Sequence, residues 1–82
     1  MSQRLATPSQ TGEVLCARRK ALKLSQRVLA ERLGISQNRL SELETDPSRL
    51  TLDRLLFLVN ALGLELLLQD KDRSGVARQS EW

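Results

Sequence analysis

SQRVLAERLGISQNRLSELE, residues 25–44, is the stretch that decides the fold. Ser25 can cap a short helix over Gln26 to Leu33, with Val28, Leu29 and Leu33 facing inward. Gly34 stands just past its end, where a left-handed residue closes a helix. Ile35 follows as a buried apolar plug. Ser36 then caps another helix, from Gln37 to about Glu44, with Leu40 and Leu43 on its inner side. Two helices that cross steeply need a small residue where their backbones approach, and Ala30 supplies it. They also need a turn that tolerates a left-handed backbone, supplied by Gly34, and apolar residues that seat both on one core. Singly these residues say little; in this order they specify a two-helix unit with a tight corner.

Upstream, Thr7-Pro8-Ser9-Gln10 announces a first helix, from Pro8 to about Leu22. Thr7 caps the free amides, Pro8 suits the first helical position, and Gln10 stands where a capping box wants Glu or Gln. The apolar face of this helix (Thr11, Val14, Leu15, Leu22) is thin, and Gly12 weakens its first turn. Downstream, Asp46-Pro47-Ser48 is a turn cluster that stops the third helix. Thr51 caps a fourth, Leu52 to Leu62, ended by Gly63. Leu52, Leu55, Leu56, Leu58 and Val59 make it apolar over more than one face, which predicts burial against something beyond the other three helices.

Leu64 to Gln69 alternates as a strand, with Leu64, Leu66 and Leu68 on one side and Glu65, Leu67 and Gln69 on the other. The competing reading, a continuation of the fourth helix, is opposed by Gly63. A lone strand leaves its backbone groups unpaired, so the expectation is pairing with the same strand of a second copy. The chain thus divides into a flexible start (1–6), a four-helix domain (7–63), a dimerisation strand (64–69) and a mobile polar tail (70–82).

Composition narrows the function. The 82 residues make room for one domain. With no His, and Cys16 as the single cysteine, there is no zinc cluster, no Ser–His or Cys–His catalytic pair and no disulfide framework. Gly12, Gly34, Gly63 and Gly75 stand too far apart for a phosphate loop. Neither a metal, nor a cofactor, nor catalysis is expected. The start, MSQRLATPSQ, is too polar for a secretory signal. No apolar run approaches the ~20 residues of a membrane span, and a lone reduced thiol suits the cytoplasm. The net charge is a modest +3, but residues 1–41 hold eight Lys or Arg against two Glu, and residues 42–82 five against eight acids. The basic excess therefore lies in the half containing the two-helix unit. Charge alone reads as solvated helix faces; with a motif in the same half it reads as a DNA face.

The spacing within residues 25–44 is that of a helix-turn-helix, whose second helix enters the major groove. Its outward residues are Ser36, Gln37, Asn38, Arg39, Ser41 and Glu42. Gln and Asn can each pair twice with adenine, and Arg can do so with guanine. Gln37 and Asn38 are the leading base readers, with Ser36 and Ser41 beside them. Arg39 reaches either a base or a phosphate. The Glu42 carboxylate either accepts from cytosine or repels phosphate. Backbone contacts fall to Ser25, Gln26, Arg27, Arg49 and Lys23, and make affinity fall steeply with salt.

Arg19, Leu24-Ser25-Gln26, Leu29-Ala30, Leu33-Gly34-Ile35-Ser36-Gln37 and Leu43-Glu44 together make residues 11–63 resemble the phage-repressor (Cro, or XRE) helix-turn-helix family. Thr7-Pro8, Pro47, the Leu52 helix, the Leu64–Leu68 strand and the terminal Glu81-Trp82 extend the likeness to HipB-type antitoxins. The resemblance implies an all-α, lambda-repressor-like fold of four helices with a short C-terminal strand pairing across a dimer. It implies that Gln26 braces Gln37 while gripping phosphate, and that Arg19 and Glu44 form a partly buried ion pair joining the first helix to the third. There are departures. Arg18 stands where the family usually has an apolar residue, which leaves the first helix less well anchored. Glu42 replaces a frequent amide, and Ser36 replaces a Lys of HipB, so the operator need not be shared.

Cys16 is expected to pack and Phe57 to lie in the core or the dimer seam. Trp82 either packs on the body, has no role, or, as the resemblance suggests, inserts with the tail into a HipA-like kinase toxin. The expectation is a homodimeric repressor on a palindromic operator in double-stranded DNA, silencing its own operon and restraining such a toxin. The alternatives are a free-standing XRE regulator without a toxin, and a protein-interaction module whose helix-turn-helix is structural.

Overall fold

The computed structural model describes residues 3–71 of the chain. Four α-helices, α1 (Pro8–Ala21), α2 (Gln26–Leu33), α3 (Gln37–Thr45) and α4 (Leu52–Ala61), follow one another, with a 3-10 turn at Pro47–Arg49 between the last two. Each helix begins where a hydroxyl takes up a free amide. Thr7 accepts from the Gln10 N–H at 3.2 Å, Ser25 from Val28 at 3.1 Å, Ser36 from Arg39 at 3.0 Å and Thr51 from Arg54 at 3.3 Å. The Gln10 side chain reaches back, but to the Ala6 N–H at 2.7 Å, one residue earlier than a capping box places it. Gly34 and Gly63 close α2 and α4 at φ 72° and 71°, a conformation that a Cβ makes costly.

The core is a leucine cluster. Leu29, Leu40 and Leu62 are fully enclosed, with Leu15, Ala30, Leu33, Leu58 and Val59 around them. Ile35 packs on it half-buried, less deeply than a plug. Side chains of this kind contribute about 1.5–3 kcal/mol each on burial, so the cluster is what holds α2 against α3.

Helix α1 differs from its expected face. Its buried residues are Gly12, Leu15 and Arg19, whereas Leu22 is 41% exposed. The helix ends at Ala21 and Leu22 caps it, donating its N–H to the Arg18 carbonyl, so the side chain leaves the apolar stripe. Gly12 is a contact position rather than a weak point. A Cβ built there would stand 2.5 Å from the Pro47 Cγ and 2.7 Å from the Glu44 carbonyl oxygen. Only glycine lets α1 lie this close to the end of α3.

Helix α4 buries Leu58 and Val59 and leaves an apolar face outside: Leu52 is 67%, Phe57 50% and Leu56 40% exposed. Phe57 is therefore not core. Beyond Gly63, Leu64 packs against the cluster, while Leu66, Leu67 and Leu68 are exposed. No strand forms among the described residues. Residues 64–69 carry no ladder because a single chain offers this segment no neighbouring edge. Trp82 and most of the tail lie outside the described residues.

Candidate nucleic-acid interface

At 100° per residue, Gln37, Ser41, Thr45, Asn38 and Glu42 share the outer face of α3, opposite Leu40 and Leu43. Gln37, Asn38, Glu42 and Thr45 are exposed and Ser41 is half-buried. Among the described residues neither the Gln37 nor the Asn38 amide hydrogen-bonds another side chain. Ser36 is held in place as the α3 cap. Arg39 lies on the flank of the face and pairs with Glu42, Nη1 to Oε1 at 3.3 Å. Thr45, missed in the sequence reading, extends the polar face by one turn. Its helical offset of four from Ser41 was the available signal; the predicted helix ended one residue too soon to include it.

The face is fixed from behind by a polar cluster. Arg19 meets Glu44 through two bonds, Nε to Oε2 at 2.7 Å and Nη2 to Oε1 at 3.2 Å, and its Nη1 donates to the Leu24 carbonyl at 2.9 Å. Both side chains are about nine-tenths buried. The paired bonds match the planar fork of Arg to a carboxylate. Gln26 donates from Nε2 to Glu44 Oε1 at 3.0 Å. Through Arg19 and Gln26 this carboxylate ties α1 and α2 to α3, and Arg19 itself holds the α1–α2 turn. Burial pushes the Glu44 carboxyl up, but hydrogen bonds from Arg19 and Gln26, with the Arg19 charge, outweigh it and hold the group below its ordinary value. The Cys16 thiol accepts a long contact from Arg19 Nη2 at 3.6 Å.

This arrangement corrects the bracing expected of Gln26. Its amide nitrogen is engaged by Glu44 rather than by Gln37, because a nearly buried carboxylate with several lone pairs draws every donor within reach.

Arg18 is also corrected. It does not loosen α1: its Nε donates to the Leu62 carbonyl at 2.9 Å and so ties α1 to the end of α4. A cation at that carbonyl-rich terminus is favourable as well. Arg54, which the sequence reading passed over, reaches the Leu33 carbonyl at the end of α2, at 3.4 Å. Three arginines, Arg18, Arg19 and Arg54, are therefore engaged within the fold.

Among the described residues, the remaining basic groups face solvent. Arg27 pairs with Glu31 at 3.5 Å and Arg49 with Asp46 at 3.4 Å. These exposed pairs are weak and can exchange for phosphate at little cost. Lys23 is exposed at the α1–α2 corner with φ 58°, a left-handed residue whose N–H closes onto the Lys20 carbonyl. Ser25 caps α2 at the same corner.

Among the described residues no group of His, Cys, Asp or Glu is arranged to hold a metal. No helix there is long and apolar enough to cross a membrane.

The helix-turn-helix family model matches residues 17–68. No curated protein sequence matches the chain. Among solved structures, a HipB complex with an O2 20mer is similar at TM-score 0.77 and 27% identity, over 85% of this chain and 97% of that one. A HipA–HipB–O2–O3 complex is similar at TM-score 0.78 and 27% identity, over 87% of this chain and 100% of that one. The two-helix unit, its glycine corner and its buried Arg19–Glu44 pair thus stand in a matching frame, and the protein belongs to the XRE-type helix-turn-helix family of DNA-binding regulators.

Proposed function

We propose that this chain is a dimeric, sequence-specific repressor of the HipB kind, which reads a palindromic operator and, as an antitoxin, restrains a HipA-like kinase. The carrying observation is the outer face of α3, where exposed Gln37 and Asn38 stand beside Ser41 on a helix pinned from behind by Glu44. Amides in that position form paired hydrogen bonds with adenine in the major groove, and Ser36 adds a hydroxyl at the helix start. Ser25, Gln26, Arg27, Arg49 and Lys23 supply phosphate contacts on either side. The exposed apolar face of α4 and Leu64, Leu66 and Leu68 form the seam between two copies. That symmetry sets two half-sites about one helical turn apart. The toxin reading is supported by similarity to a HipA–HipB complex, and the tail ending in Trp82 is its proposed contact.

Selection of binding sites from random duplex DNA tests the repressor, followed by anisotropy at several salt concentrations. The expected result is a palindromic consensus bound by a dimer, with affinity falling steeply as salt rises. Failure to enrich any sequence overturns the reading. For the toxin, a kinase encoded beside this gene should bind the full chain and lose affinity when residues 70–82 are deleted, while DNA binding persists. Unchanged toxin affinity would remove the tail from the mechanism.

A further inference from the structure

Glu42 is the one acidic side chain on the outer face of α3 among the described residues. It is 63% exposed, one turn beyond Asn38, and its carboxylate meets the Arg39 guanidinium at 3.3 Å. A surface pair of this kind adds little to stability, so the fold does not require an acid there. In a groove lined by phosphates an uncompensated carboxylate would be repelled. Arg39 neutralises it within the same helix, so a carboxylate can approach base edges without bringing net charge.

A carboxylate only accepts hydrogen bonds. Guanine shows it O6 and N7, and thymine shows it O4, all acceptors. Adenine offers N6 but sets the N7 acceptor beside it. Cytosine offers the N4 amino group with no acceptor of its own in the groove. We propose that Glu42 is a specificity-determining residue that selects a cytosine in each half-site, next to the adenines read by Gln37 and Asn38, with Arg39 as its counterion. This inference rests on the repressor reading.

The test is site selection from duplex DNA randomised across both half-sites, run with the full chain and with E42Q. The wild-type chain should enrich a cytosine at one fixed position of each half-site, preferred on the order of ten-fold over other bases. E42Q, which gains a donor, should move that position toward adenine and leave the remaining consensus unchanged. Its circular dichroism and melting should match the wild type, because the side chain is exposed. A wild-type consensus that E42Q retains at every position overturns the role of Glu42 and leaves the repressor reading standing. No enriched sequence from the wild type overturns both.

Discussion

Among the described residues the outer faces of α3 and α4 are both exposed, and they are built in opposite ways. The outer face of α3 is polar, and a nearly buried two-bond ion pair with two further bonds holds it from behind. The outer face of α4, continued by Leu66, Leu67 and Leu68, is apolar; single bonds from Arg18 to the Leu62 carbonyl and from Arg54 to the Leu33 carbonyl fasten the helix, and no buried ion pair stands behind it among the described residues. The contrast matches the two roles proposed for them, reading base edges on α3 and joining two copies on α4. A reader of base edges needs side chains fixed to within a fraction of an ångström, because hydrogen bonds are directional. An apolar seam needs only area, because burial is not directional.

The largest expected effect breaks the backing of α3. Glu44→Ala leaves Arg19 nearly buried without its carboxylate, and should cost about 3–5 kcal/mol in chemical denaturation. The same pair makes stability depend on pH. The folded Glu44 carboxyl lies below its ordinary value of 4.5, so its contribution is fully present above that value. It is lost as pH falls through the depressed folded one. Denaturation midpoints between neutral and acid pH should therefore fall less in Glu44→Gln than in the wild type; equal slopes would remove this group from the acid response.

Next come the proposed base readers. Gln37→Ala and Asn38→Ala should each weaken binding to the selected operator by about 1–3 kcal/mol, while stability changes by no more than about 0.5 kcal/mol. Loss of affinity with loss of fold would mean that the face is structural. Arg18→Ala removes the link from α1 to the Leu62 carbonyl, and should cost about 1–2 kcal/mol of stability without changing the DNA consensus. Smallest in the single chain are Leu56→Ser and Phe57→Ser, within about 0.5 kcal/mol each. Their effect should appear instead in sedimentation velocity, as a shift toward monomer at a given concentration. An unchanged dimer would place the seam elsewhere.

Much of the fold could be read from the sequence because its signals are local. Ser25, Ser36, Thr7 and Thr51 act within three residues, and Gly34 and Gly63 set backbone angles at their own positions. What escaped was non-local. Gly12 looked like a weak helical residue because Pro47 and the Glu44 carbonyl, which require it, are far away in the chain. Arg18 looked like a gap in an apolar face because its partner is the carbonyl of Leu62, 44 positions on. Gln26 was assigned to a neighbour on α3 when a buried carboxylate on the same helix attracts its donor more strongly. Arg54 gave no signal at all, since a backbone carbonyl leaves no trace in side-chain pattern. The outer face of α3 was legible for the opposite reason: helical periodicity alone separates Gln37, Asn38 and Ser41 from Leu40 and Leu43. The strand expected over 64–69 would need a neighbouring edge from a second chain, and alone the segment forms none.

Amide hydrogen exchange of the full chain, with and without its selected duplex, tests the division between the two surfaces most directly. DNA should slow exchange at the start of α2 and through α3, and leave α4 and residues 64–68 as they are in the DNA-free protein. Slowing confined to α4 and residues 64–68, with α3 unchanged, would contradict the account.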